Sequence, residues 1–234
     1  GVVCGGSSLT AAQPYNNVVR VAIEAMAAVA GGAQSIFTCA FDEAFQIPTE
    51  FSAELALRTQ QIIAYESGIA RTVDPLGGSY YVESLTDRME EAIVAVMDEI
   101  ERYGGAVRAI EDGWLQSRLA HRALERKRGI DTGATIVVGQ NRFRRDDEGE
   151  NIGEAFRLDP EAGRRIAGQY EAVRARRDAG AVARALDRLQ AAAGRDDDNH
   201  VPDLIGCCHA DASVGERVGR LRARWGDFRE PVGL

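Results

Sequence analysis

Three short strand-patterned segments, each running through a loop into a helix-patterned stretch, follow one another in the first hundred residues. Gly1-Val2-Val3-Cys4-Gly5-Gly6 reads as a buried strand entering a glycine loop. Residues 18–30 then place Val18, Val21, Ala22, Ala25, Met26 and Val29 at helical spacing, and Gly31-Gly32 closes that helix. Gln34-Ser35-Ile36-Phe37-Thr38 predicts a second strand, followed by the acidic turn Asp42-Glu43. Pro48-Thr49-Glu50 opens a helix that buries Leu55, Ile62 and Ile63 and ends at Gly68. Residues 71–74 predict a third strand and residues 75–79 its loop. A helix is expected from about Ser84, with the stripe Leu85, Met89, Ile93, Val96 and Ile100. Strand, loop and helix in series predict parallel α/β architecture, in which the loops after the strands share one face. Three units do not close an eight-stranded barrel. The expected fold is therefore the last three β/α units of a TIM-type (β/α)8 barrel, with its earlier part expected before Gly1, which is not a start methionine.

After Gly105 the pattern becomes mainly helical. Residues 106–128 read as one helix, basic near its end as the helix dipole favours, and residues 134–139 as a compact apolar strand. Residues 142–149 are charged and exposed in expectation, and residues 160–193 form an Ala- and Arg-rich helix broken near Gly180. Asp196-Asp197-Asp198-Asn199 reads as a linker. Ser213-Val214-Gly215-Glu216 has the form of a capping box before a last helix through Val218, Leu221 and Trp225. The expected division is residues 1–104, the barrel part, and residues 105–234, a helical extension. Gly77-Gly78 reads as a turn, and Tyr80 and Tyr81 as packing groups.

A formal charge of -8 leaves no basic excess for sequence-independent nucleic-acid binding. Cys4, Cys39, Cys207 and Cys208 have no CxxC spacing, and the adjacent pair is a poor disulfide framework, so a reducing, cytoplasmic setting is expected. No apolar run reaches membrane-spanning length and no charged leader precedes one. Nucleophile-elbow, P-loop and dinucleotide motifs are absent. Cys207-Cys208-His209 lacks the two spaced ligand pairs of a structural zinc site and reads as a helix-proximal cysteine pair, so no metal site is expected.

Longer patterns carry a resemblance. Ser8-Leu9-Thr10, Gln13-Pro14-Tyr15-Asn16-Asn17, Ala22-Ile23-Glu24-Ala25, Gly31-Gly32-Ala33-Gln34-Ser35, Asp42-Glu43-Ala44, Arg58-Thr59-Gln60, Glu66-Ser67-Gly68 and Asp74-Pro75-Leu76-Gly77-Gly78-Ser79 stand in an order and spacing that resembles the adenosylcobalamin-dependent methylmalonyl-CoA/isobutyryl-CoA mutase family. Asp131-Thr132-Gly133 with residues 136–141 resembles the segment after the barrel, and the tail from Ala210 to Gly226 resembles the end of a large (alpha) subunit. The resemblance implies a barrel that threads an acyl-CoA along its axis under a cobalamin cap, and a radical carbon-skeleton isomerisation. It places Gln34 and Ser35 on the pantetheine path, where short polar groups leave room and hydrogen-bond an amide. It places Glu43 beside the ribose of the adenosyl group, and Cys39 on the wall of the same site. The residues alone leave other readings open: Gln34 and Ser35 as satisfied barrel core, and Asp42-Glu43 as a solvated turn opening a helix.

The chain departs from the family pattern at two strands. Gly1 and Val3 stand where a His-Cys-Gln-Thr-Ser-Gly run has His and Gln, and Ser35-Ile36-Phe37-Thr38-Cys39 replaces Ser-Leu-His-Thr-Asn. Three readings follow: a mutase of another acyl-CoA, a drifted methylmalonyl-CoA mutase, or an inactive paralogue that binds acyl-CoA or assembles with a partner. The Asp-x-His-x-x-Gly cobalamin motif is missing at His121, His200 and His209; His200 comes nearest, with Asp203 in the glycine position. The axial ligand is therefore expected from a separate small cobalamin-binding subunit in a hetero-oligomer. The residues that handle the reacting carbons are expected upstream of Gly1, and the chain by itself is expected to be inactive.

Overall fold

The computed structural model describes residues 1–145, 157–195 and 197–231. The chain divides into two compact units, residues 1–156 with 231–234, and residues 157–230. In the first, β1 (Val2–Val3) runs parallel to β2 (Ile36–Phe37), with Val2 opposite Ile36 and Val3 opposite Phe37. Parallel neighbours require a crossover, which α1 (Asn16–Ala30) supplies. Its Val21 and Ala25 are buried at one-turn spacing, and they join Cys4, Cys39 and Ile63 in one core, with Leu9, Met26, Val29, Ile36 and Ile69 packed around it.

Ile63 comes from α2 (Glu50–Tyr65), whose start is fixed by a capping box. Thr49 Oγ1 accepts the Ser52 N–H at 3.2 Å, and Ser52 Oγ accepts the Thr49 N–H at 2.9 Å. Thr38 secures β2 to this helix by donating to the Ala56 carbonyl at 2.9 Å and accepting from Gln60 Nε2 at 2.8 Å.

The expected third strand does not form. Gly68 takes φ 77°, residues Ile69–Arg71 make a 3-10 turn, and Val73 stands 93% exposed. A strand exists only where a ladder satisfies its backbone, and a four-residue segment with one apolar residue and no paired neighbour does not build one. The described architecture is thus mainly helical with a two-stranded parallel sheet, and a closed barrel is not part of it.

From there, α3 (Tyr80–Tyr103) begins four residues before its expected start. Tyr80 and Tyr81 are exposed rather than packed, and the stripe Leu85, Met89, Ile93 and Val96 is also exposed. The single helix expected over 106–128 is divided into α4 (Ala106–Glu111) and α5 (Trp114–Asp131), because Gly113 turns the chain at φ 72°. Tyr103 stacks on Trp114 at 5.0 Å, and the Arg118 guanidinium, paired with Glu99, lies 4.9 Å over the same indole.

No strand forms at residues 134–139. Asn141 takes the backbone groups a neighbouring strand would have taken: its Oδ1 accepts the Val137 N–H at 2.8 Å, and its Nδ2 donates to the Ile130 and Thr135 carbonyls at 2.8 and 2.7 Å. One bridge, Val138 to Arg142, is all the ladder present there. The charged stretch expected at 142–149 lies outside the described residues from 146 onward, as does Asp196.

The second unit contains α6 (Pro160–Arg176), α7 (Ala179–Ala192), α8 (Val201–His209) and α9 (Val214–Trp225). Its core is Val182, Ala185, Leu186, Leu189, Cys207 and Ala212. The break expected near Gly180 forms at Arg177-Asp178, where Asp178 caps α7 through the N–H groups of Gly180 and Ala181 at 2.8 and 3.1 Å. The capping box at Ser213 and Glu216 forms as expected. Cys207 is buried and Cys208 exposed, with Arg217 Nη1 2.7 Å from the Cys208 sulfur. No described helix is long and apolar enough to cross a membrane.

Arg177 joins the start of α7 to the start of α9 with a two-pronged ion pair. Its Nη1 and Nη2 donate to Glu216 Oε2 and Oε1 at 2.7 and 2.6 Å, and Nη1 also reaches the Asp211 carbonyl at 3.0 Å. These bonds, with the Ser213 N–H, hold the Glu216 carboxyl at a pKa of about 2, against an ordinary value of 4.5. A carboxyl whose folded pKa is depressed adds stability above its unfolded pKa and loses it as pH falls through the folded one. Acid titration followed by circular dichroism therefore loses part of its helical signal between about pH 4.5 and 2. Glu216→Gln removes that component; superposable wild-type and variant titrations would contradict this.

Candidate functional site

The loops at the C-terminal ends of parallel strands gather on one edge. After β1, Cys4 is buried, and the Gly5 N–H donates to Glu24 Oε2 at 2.9 Å. After β2, Thr38, Cys39, Ala40, Phe41 and Asp42 are all buried. The two strand ends are joined twice, by the Cys4 N–H to the Phe37 carbonyl at 2.9 Å and by the Cys39 thiol to the Cys4 carbonyl at 3.2 Å. Glu43 folds back so that its Oε1 accepts the Ala40 N–H at 2.7 Å. Behind it, Asp42 Oδ2 accepts from Gln46 Nε2 at 2.8 Å, while its Oδ1 has no hydrogen-bond partner.

The edge therefore pairs two thiols with two carboxylates. Burial pushes the Cys39 thiol up to about 11, with the charge of Glu43 and a hydrogen bond to it adding in the same direction. Burial and then the Glu24 charge raise Cys4 likewise. Both sulfurs stay protonated at neutral pH, where they serve as donors and not as nucleophiles. Glu43 is half-buried, and its carboxylate retains lone pairs beyond those used by Ala40 and Cys39. Such a group accepts hydrogen bonds from hydroxyls.

Gln34 and Ser35 occupy the other end of the same strand. Both are exposed and precede β2, with the Ser35 carbonyl accepting the Val2 N–H at 2.9 Å. Four residues of extended chain separate Ser35 from Cys39 by roughly 13 Å. The structure thus brings Cys39 and Glu43 together and sets Gln34 and Ser35 apart from them along the strand axis.

Sequence reasoning missed Cys4 and Glu24 as members of this edge. The signal was present in α1, where Glu24 lies between the buried Val21 and Ala25 on the helix's inward face. Among the described residues, no group of three or more His, Cys, Asp and Glu is placed to hold a metal ion. His121 pairs with Glu125 on the surface, and His200 packs against Trp225 with ring centroids 5.5 Å apart. Residues after His200 enter α8 directly.

These features define a mainly helical architecture with a two-stranded parallel sheet, whose strand ends carry a sheltered carboxylate and thiol edge. The family model described as methylmalonyl-CoA mutase matches residues 2–227, and the chain belongs to that family. It is 43% identical over 224 residues to the 2-hydroxyisobutanoyl-CoA mutase large subunit of Aquincola tertiaricarbonis, covering 96% of this chain and 40% of that protein. It is 44% identical over 229 residues to the methylmalonyl-CoA mutase of Escherichia coli (strain K12), covering 97% and 31%. With the human mitochondrial methylmalonyl-CoA mutase the identity is 38% over 225 residues, covering 96% and 30%. The chain spans about a third of the length of these relatives.

The thiols supply a direct check on the edge. In the native protein at pH 8, iodoacetamide is expected to label the exposed Cys208 and to leave Cys4, Cys39 and Cys207, whose pKa values burial raises, until the chain is denatured. Peptide mass spectrometry that finds Cys39 labelled as fast as Cys208 would contradict a sheltered, protonated thiol.

Proposed function

We propose that this chain is part of the large subunit of an adenosylcobalamin-dependent acyl-CoA mutase, with residues 1–104 contributing to the acyl-CoA-binding barrel and residues 105–234 forming its helical extension. The observation that carries this reading is the family match across residues 2–227. Glu43 supports it from the site itself, since a half-buried carboxylate with spare lone pairs at a strand end suits ribose hydroxyls. Cys39 forms the adjoining wall, its neutral thiol adding no charge beside the ligand. Gln34 and Ser35, exposed ahead of β2, offer hydrogen bonds to the amides of a pantetheine arm that runs along the strand axis.

When bound, adenosylcobalamin supplies the radical chemistry of the carbon-skeleton rearrangement, and the protein orients and shelters. The described residues fit the adenosyl end of that cofactor. His121, His200 and His209 do not fit its axial ligand, for which a separate small cobalamin-binding subunit in a hetero-oligomer is the natural source. The name of the Aquincola tertiaricarbonis relative, a large subunit, supports that division. Four free cysteines support a reducing, cytoplasmic setting.

A second reading, an inactive module that binds or assembles, draws on the uncovered apolar stripe of α3. Turnover separates the two. The full polypeptide, combined with a small cobalamin-binding subunit and adenosylcobalamin, is expected to isomerise the carbon skeleton of one of methylmalonyl-CoA, isobutyryl-CoA or 2-hydroxyisobutanoyl-CoA, while residues 1–234 alone do not. Complex formation without turnover of any of the three would favour the assembly reading, and turnover by residues 1–234 alone would overturn their assignment as a part.

A further inference from the structure

We infer that Asn17 is a positioning residue that sets the register between the loops following β1 and β2, and that Arg20 extends this register to residues 137–143. Asn17 lies in the first turn of α1 and is fully buried. Asparagines near a helix start commonly spend their side chains on local backbone groups. This one does not: its amide reaches backward seven residues and forward twenty-four. Its Oδ1 accepts the Thr10 N–H at 3.1 Å and Arg20 Nη1 at 2.6 Å, and its Nδ2 donates to the Thr10 and Phe41 carbonyls at 2.8 Å each. Two donors and two acceptor positions are all that an amide possesses, and every one is used.

The Phe41 carbonyl lies two residues from Cys39 and two from Glu43, inside the turn that aims both. One side chain thus fixes where that turn sits relative to the turn after β1. Arg20 carries the linkage further, with Nη1 on Thr10 Oγ1 at 3.1 Å and Nη2 on the Val138 carbonyl at 2.6 Å. A parallel tether runs from Gln13, held at φ 48°, to the Phe143 carbonyl at 3.0 Å. The approach there is close: Gly139 takes φ 81°, a conformation that residues with side chains rarely adopt, and a β-carbon there would stand 2.9 Å from the Gln13 amide. Residues 137–143 are thereby seated over the loop after β1 by side chains of α1 and its approach.

Asn17→Asp tests the register with little change of shape. One carboxylate oxygen still accepts from Thr10 and Arg20, while the other faces the Phe41 and Thr10 carbonyls with no proton to offer. In the full polypeptide, hydrogen exchange at Glu43, Phe45 and Gln46, whose amides are bonded within the turn, is expected to quicken about tenfold, the weight of one hydrogen bond to a buried carbonyl. Exchange within α2 should hold steady. Arg20→Lys is expected to quicken Gly139, Gln140 and Asn141 instead and to spare the Glu43 turn. Uniform acceleration in both variants, or none in either, overturns the inference. Should Asn17→Asp fail to fold, Asn17→Ser carries the same expectations.

A kinetic readout rests on the mutase reading. In a turning-over complex, Asn17→Asp should raise KM for adenosylcobalamin about tenfold and leave KM for the acyl-CoA within about twofold. An unchanged cofactor KM with a loosened turn overturns the positioning role. Absence of turnover in the wild-type complex counts against the mutase reading alone, because the exchange pattern still decides the register.

Discussion

Two strands of two residues each, Val2–Val3 and Ile36–Phe37, have to run side by side in the same direction, and most of the first unit follows from that requirement. Parallel pairing forces the chain to return over the sheet, so α1 must lie across it with Val21 and Ala25 facing inward. The same pairing puts the ends of both strands on one edge, where Cys4, Cys39, Glu24 and Glu43 meet. So short a ladder has few bonds of its own. It is reinforced by the Cys39 thiol on the Cys4 carbonyl and by Thr38, which ties the end of β2 to α2.

The chemistry of that edge is set by burial. Two carboxylates beside two thiols in a poorly solvated place repel a thiolate, so the sulfurs stay protonated and donate. Glu24 is committed to the Gly5 N–H and Cys4, whereas Glu43, on a half-exposed turn, keeps acceptor capacity toward solvent. The difference between a carboxylate that holds the fold and one able to hold a ligand lies in these partners, not in residue type. Asp42, adjacent in sequence and wholly buried, belongs with the former.

How much of this was legible in the sequence depended on whether the deciding partner was near in the chain. The α1 stripe, the Ser213–Glu216 box and the positions of the two paired strands follow from local spacing and were read correctly. The burial expected of Val2 and Val3, of Ile62 on α2 and of the Leu85 to Val96 stripe on α3 was not, because all of these are exposed. Residues 71–74 and 134–139 have strand-like composition, but a strand is a property of its neighbour. One segment has no paired strand, and Asn141 supplies the other's hydrogen bonds from its side chain. At α7 the break expected near Gly180 forms, and the Asp178 cap fixes where it falls. In the candidate site, Cys39 and Glu43 were marked by resemblance, but Glu24 and Cys4 join them only once the strands pair. The distances from Asn17 to Thr10 and Phe41 have no trace in periodicity.

We propose Glu43 as the hydroxyl-accepting group of the strand-end edge. Calorimetric titration of 5′-deoxyadenosine into the full polypeptide, compared between wild type and Glu43→Gln, addresses it without requiring turnover. Replacing a charged acceptor by a neutral amide should weaken binding about tenfold or more, the difference between a charged and an ordinary hydrogen bond. Equal affinity for the two proteins, with both folded, would contradict the claim.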